Sequence, residues 1–164
     1  MAKKETAKAK GKAEPEGIHV IARNRKARHE YELLEKVEAG LVLTGTEVKS
    51  LRAGKANLED AYVEIDKGEA WLLGCDIPEY LQGNRMNHQP KRKRKLLLHR
   101  REIERLASRG AEKGLTIVPL QMYFKKGIAK VEISIARGRK LYDKRESMKQ
   151  RDAKRDIDRE LRRR

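Results

Sequence analysis

From Tyr31 onward the chain alternates. Tyr31, Leu33, Val37, Ala39, Leu41 and Leu43 hold odd positions, while Glu30, Glu32, Lys36 and Glu38 hold even ones. A period of two places one face in a core and the other in water, so a half-buried strand is predicted. Gly40 inside it predicts a bend or bulge, which a strand needs when its sheet curls into a barrel. The period then changes. Thr44 and Glu47 have capping-box spacing ahead of Val48 and Leu51, and Gly54 can take the left-handed conformation that ends a helix. "GTEVKSLRAGK" therefore reads as a short helix, with Lys49, Arg52 and Lys55 three apart on a face roughly opposite the apolar pair.

Two pairs of β-prone runs read as hairpins. "AYVEI" and "AWLLG" flank Asp66, Lys67, Gly68 and Glu69, and "LTIVPLQMYF" and "IAKVEISIA" flank "KKG". Pro119 predicts an edge or a bulge in the second pair. Between them, residues 100–113 form a helical pattern with Ile103, Leu106 and Ala107 inward, Arg101, Arg105 and Arg109 in a stripe, and Gly114 as the stop. The expected fold class is mainly β with added helices: an antiparallel oligonucleotide-binding-like barrel carrying two or three short helices, with disordered termini.

The termini lack such patterns. Residues 1–17, dominated by Lys, Ala and Glu, are expected to be a disordered basic arm, residues 18–137 the barrel, and residues 138–164 a basic tail. As a helix, the tail would align Arg151, Arg155, Arg159 and Arg163 on one stripe, with Ala153, Ile157 and Leu161 on another. Asp152, Asp156 and Glu160 each precede one of the last three arginines by three residues and can pair with it. The apolar stripe is too thin to dock firmly. The tail is expected to be disordered when free and helical against a polyanion.

Charge points to the partner. Lys+Arg number 41 against 25 Asp+Glu in 164 residues, a formal charge of +16, which suits a polyanion. With aromatics at 4%, phosphate and shape contacts fit better than a surface that stacks base after base. The single cysteine, Cys75, allows no disulfide framework within a monomer and fits a reducing compartment. His19, His29, His88 and His99 have no metal-ligand spacing. Gly54-Lys55 fails as a phosphate loop, because Lys49 stands where its first glycine belongs and Ala56 where a hydroxyl is required. The expectation is a binding protein rather than an enzyme, with no cofactor or metal. No apolar stretch reaches signal-peptide or membrane-spanning length, so a cytoplasmic protein with no membrane partner is expected.

The densest cationic run is Lys91, Arg92, Lys93, Arg94 and Lys95, followed by three leucines that would anchor it in a core. A second cluster holds Asn24, Arg25, Lys26, Arg28 and His29. Asn24 can read a base edge or 2′-hydroxyl, or simply cap a helix. Glu38 can accept from a base amino group, or pair with a nearby Lys or Arg. From these residues alone the reading stops at a basic RNA-binding barrel, with a ribosomal protein or translation factor as the alternative.

The strings "NRKARHEY", "EAGLVLTGTEVKSLRAGKANLEDAYV", "RKRKLLLHRREI", "GLTIVPL" and "ARGRKLYDKR" go further. Together they resemble the SsrA-binding proteins, the small protein B family. The resemblance implies an oligonucleotide-binding-like barrel that binds the tRNA-like domain of transfer-messenger RNA and delivers it to stalled ribosomes for trans-translation, as a monomer without covalent chemistry of its own. It implies RNA contacts at Asn24, Glu38 and Leu97. It also implies a tail lying in the empty mRNA channel, with Tyr142, Asp143, Lys144 and Arg145 passing the rRNA of the decoding centre. Relatives often carry histidine where Tyr142 stands, so the ring is kept and the titratable imidazole is not.

Overall fold

Seven strands and four helices make up the computed structural model, which describes residues 17–163: β1 (Ile18–Arg23), α1 (Arg25–Glu30), β2 (Tyr31–Leu41), α2 (Gly45–Arg52), β3 (Tyr62–Asp66), β4 (Glu69–Leu73), β5 (Arg94–Leu97), α3 (Arg100–Gly110), β6 (Leu115–Lys125), β7 (Ile128–Gly138) and α4 (Leu141–Arg163). A 3-10 turn spans Asn84–Met86. The expected basic arm lies, but for Gly17, outside the described residues.

All strand pairs are antiparallel. β2, β7, β6, β3, β4 and β5 follow one another in a ring, and β1 pairs with the second half of β6. The ring closes through narrow seams. One residue pair, Val63 with Ile117, joins β3 to β6, and two pairs, Gly40 with Leu97 and Leu41 with Leu96, join β2 to β5. This is the oligonucleotide-binding-like architecture expected, with closure by seams rather than by full ladders.

Both hairpins form as the sequence dictates. Lys67 and Gly68 have φ of 49° and 75°, and Lys126 and Gly127 have 51° and 78°. Two consecutive left-handed residues make the tight turn whose twist matches that of the flanking strands, and glycine takes the second position without strain. Pro119 sits at a register shift between β6 and β7, where its missing N–H is tolerated.

The expected irregularity in β2 falls elsewhere. The register shift lies between Leu33 and Glu35, so Leu33 packs with Ala136 in a smaller cluster while Val37 and Ala39 face the main core. Gly40 instead makes room for the neighbouring strand. A Cβ there would meet the Leu97 Cβ at 3.2 Å, so glycine lets β5 close onto β2.

Inside the ring, Leu72, Met122, Ile133 and Ile135 are wholly buried, together with Leu51 of α2 and Leu106 of α3. Each such side chain contributes about 1.5–3 kcal/mol relative to exposure. α3 ends at Gly110, three residues before the expected end, and Gly114 turns the chain into β6 at φ +84°. A smaller apolar cluster lies under α1, where Ala27 packs on Val118, Leu120 and Ala136. Among the described residues no helix is long and apolar enough to cross a membrane.

Candidate nucleic-acid interface

Glu38 and Leu97 are 59 positions apart in sequence, yet they share one open groove with Lys36, His99, Arg105 and Lys130, about 560 Å³ in volume. The pairing of Gly40 with Leu97 creates this neighbourhood. Leu97 crosses the bare backbone of Gly40, and Glu38 projects two residues along the same strand face. Leu97 remains 55% exposed.

The carboxylate of Glu38 is held in place. It accepts hydrogen bonds from the Tyr123 hydroxyl and from Lys125 Nζ at 3.2 Å, and Lys130 Nζ lies 3.4 Å away. The Tyr123 hydrogen bond, aided by the lysines, holds the carboxyl below its ordinary 4.5 against the upward push of partial burial. Burial and the Glu38 carboxylate push the Tyr123 phenol above its ordinary 10.0. An ionised acceptor, an exposed leucine and flanking cations can serve a base or ribose hydroxyl, a base face and phosphates respectively.

The basic run Lys91–Lys95 is partly a strand, and period two divides it. Lys91 and Lys93 are exposed, Lys93 lying 4.7 Å from the centre of the Trp71 ring. Lys95 faces outward and donates to Glu69 Oε1 at 2.6 Å. Arg94 points inward and is fully buried, so its expected place in a phosphate patch is overturned. Its guanidinium donates to Glu47 Oε1 and to the carbonyls of Cys75, Arg92 and Pro90. Arg92 is half-buried and grips both oxygens of Glu47, at 2.7 and 2.6 Å, which commits it to the same internal network.

The second cluster forms a helix, where the sequence suggests no more than a turn or cap. Asn24 caps α1: its Oδ1 accepts from Ala27 N at 2.9 Å, and its Nδ2 donates to Leu58 O and Pro119 O at 2.9 and 3.0 Å. At 1% exposure, with three bonds made, the side chain is a structural clamp and not a surface reader. Arg25, Lys26 and Arg28 are exposed on α1, and Lys26 pairs with Asp60 at 3.0 Å. His29 Nε2 lies 3.4 Å from Met148 Sδ of α4, and Arg151 donates to the Arg28 carbonyl at 3.3 Å.

α1 and the groove are therefore separate places. Tyr31, where α1 ends, pairs with Gly138, whereas Glu38 pairs with Glu132, and seven residues of strand span about 23 Å. The tail starts at the α1 end. Asp143 lines a shallow hollow with Glu32, Arg139, Glu146, Ser147 and Gln150, while Lys144 is half-buried and Arg145 exposed. Residues 151–162 are exposed throughout, Arg151, Arg155 and Arg159 among them. As expected, Asp152 pairs with Arg155 at 3.7 Å and Asp156 with Arg159 at 3.6 Å. Tyr142 and Arg163 belong to the helix backbone, and their side chains lie outside the described residues.

Sequence alone does not single out Lys36, His99, Tyr123 or Lys130 as site residues. Their signal arises only through pairing: each comes near Glu38 or Leu97 once β2 meets β5 and β7. Arg105 is visible as a member of the α3 stripe, and it reaches across to Glu35 at 2.7 Å.

Known proteins resemble this chain along most of its length. A curated SsrA-binding protein from Carboxydothermus hydrogenoformans is 57% identical over 143 residues, covering 87% of this chain and 96% of the relative. One from Desulforudis audaxviator is 58% identical over 149 residues, covering 91% and 96%. One from Streptomyces avermitilis is 55% identical over 153 residues, covering 93% and 86%. A chain of a solved structure described as "tmRNA-SmpB: a journey to the center of the bacterial ribosome" superimposes with a TM-score of 0.63 at 50% identity, over 73% of this chain and 85% of that one. The family described as "SmpB protein" matches residues 21–163. With the family model matched over most of the chain and relatives over half identical along nearly their whole length, the chain belongs to the SmpB family.

Proposed function

We propose that this chain binds the tRNA-like domain of transfer-messenger RNA through the Glu38–Leu97 groove and delivers it to stalled ribosomes, where trans-translation begins. The main support is the meeting of Glu38 and Leu97 in one cation-flanked groove. Relatives over half identical are named for SsrA binding, and the similar solved chain is described with transfer-messenger RNA and the ribosome. Lys36, Lys130, Lys91 and Lys93 supply phosphate contacts around the groove. The protein contributes binding and positioning, and no covalent step.

The tail then acts on the ribosome. Its stripe of Arg151, Arg155, Arg159 and Arg163 enters the empty mRNA channel, with Tyr142, Asp143, Lys144 and Arg145 at the decoding centre. Free in water, an exposed helix with so thin an apolar stripe frays, and binding to rRNA relieves the repulsion among its arginines. α1 keeps the RNA-binding role of Arg25, Lys26 and Arg28, beside the root of the tail. RNA recovered with the full-length protein from cells tests the whole reading. Enrichment of transfer-messenger RNA supports it, and recovery of ribosomal RNA in subunit proportions would point to a resident ribosomal protein instead.

A further inference from the structure

Outside the groove, the two most exposed large apolar side chains among the described residues stand on one short loop. Residues 78–90 lie between β4 and β5, and in them Leu81 is 88% and Met86 87% exposed. Side chains this bare usually belong to a loose loop. This one is tied down beneath. Ser50 Oγ donates to Pro78 O at 2.5 Å, and Ile77 N donates to Pro90 O at 3.0 Å. His88, buried, bridges Thr46 Oγ1 at 2.9 Å and Ile77 O at 2.8 Å. Asn87 clasps Tyr80, accepting from its N–H at 3.1 Å and donating to its carbonyl at 2.6 Å.

The surroundings are cationic. Arg85 lies between the two apolar residues, Lys91 follows the loop, and Lys49 of α2 stands 5.5 Å from the Tyr80 ring centre. Within residues 78–90 the one acid is Glu79. From the loop, Lys93 leads into β5, where the outward residues Lys95 and Leu97 run on to the groove. The tail root lies at the other end of β2, beside α1. Two bare apolar side chains on a loop anchored at both flanks, with cations nearby in the chain, suit an unstacked base with its phosphates, because leucine and methionine can lie against an exposed base while cations hold its backbone. A protein partner with an apolar patch would gain nothing from Arg85, Lys91 and Lys49.

We infer that the Leu81–Met86 edge is a second contact surface for transfer-messenger RNA, continuing the groove past β5 and receiving an unstacked nucleotide. The inference rests on the proposed binding of that RNA. Its test is equilibrium binding of full-length protein to transfer-messenger RNA across a salt series, comparing the wild type with a Leu81→Ser, Met86→Ser variant. Affinity should fall roughly ten-fold, the size of one lost base contact. The salt slope should stay the same because no cation is removed, and the melting temperature should not move because both residues are exposed. Arg85→Gln, in contrast, should lower the slope by about 0.7–0.9. Footprinting should show a protection lost in the serine variant and kept in Glu38→Gln.

Unchanged affinity and unchanged protection in the serine variant would overturn the inference while leaving the groove intact. The same holds if that variant binds RNA normally yet fails in tagging on ribosomes, since the edge would then face a ribosomal component. A wild type with no preference for transfer-messenger RNA would remove the groove reading and this one together.

Discussion

Glu47 Oε1 accepts from Arg94 Nε at 2.8 Å, and neither side chain reaches solvent. Burial alone would push the Glu47 carboxyl up, but Arg92, the Thr44 N–H and Arg94 outweigh it and hold the group below its ordinary 4.5. Glu47 thus joins the α2 cap to the start of β5, and with it the strand that carries Leu97. Glu47→Ala should destabilise the protein by about 3–5 kcal/mol, because it leaves the Arg94 charge buried without a counter-charge. Urea unfolding monitored by circular dichroism measures this.

The same pair sets an acid limit. A carboxyl whose folded pKa lies below its unfolded value stabilises the fold fully above about pH 4.5, and that stability is lost as the pH falls through the folded value. Both Glu47 and Glu38 act in this direction. Melting temperature should therefore hold steady from neutral pH to about 5 and drop below 4.5, with a smaller drop in Glu47→Gln.

Tyr123→Phe removes the hydroxyl that Glu38 accepts from. The Glu38 carboxyl should titrate closer to its ordinary 4.5, seen by carboxyl NMR. Stability should fall by about 1 kcal/mol, a typical loss for one hydrogen bond.

Lys91 and Lys93 are the exposed cations of the basic run, and Arg94 is not. Replacing both lysines by alanine should flatten the salt dependence of RNA binding by about 0.7–0.9 per lysine. The melting temperature should hardly change. Arg94→Ala should do the reverse, lowering stability far more than salt slope.

Ending the chain at Gly138 removes α4 and its contacts to α1. Binding to isolated transfer-messenger RNA should remain largely intact while tagging on ribosomes is abolished. The loss of helical circular dichroism signal on truncation should be smaller than the 23 residues of α4 would give, since the free tail frays. Loss of RNA binding with the tail would contradict this division of labour.

Much of the barrel is legible in sequence because its signals are local. The alternation of β2, the Lys-Gly turns and the Thr44–Glu47 spacing each specify their element within a few residues. Arg94 is not legible, because a run of cations reads as one patch until a strand assigns its members to opposite faces. α1 escapes for another reason: six residues with one buried position, Ala27, give no helical period. The groove itself is hidden, since Glu38 and Leu97 meet only through the β2–β5 seam, a pairing far apart in sequence. The resemblance to a known family points to both residues but not to their contact.

Under the proposed function, Glu38 and Leu97 act as one RNA-recognition site. Its most direct test is a double-mutant cycle, Glu38→Gln with Leu97→Ser, read as affinity for transfer-messenger RNA against an unrelated duplex at moderate salt. Each single variant should weaken the specific complex and spare the unspecific one, and the pair should lose less than the sum, with a coupling of about 0.5 kcal/mol or more. Equal wild-type affinity for the two RNAs, or variants that bind as the wild type does, would contradict it.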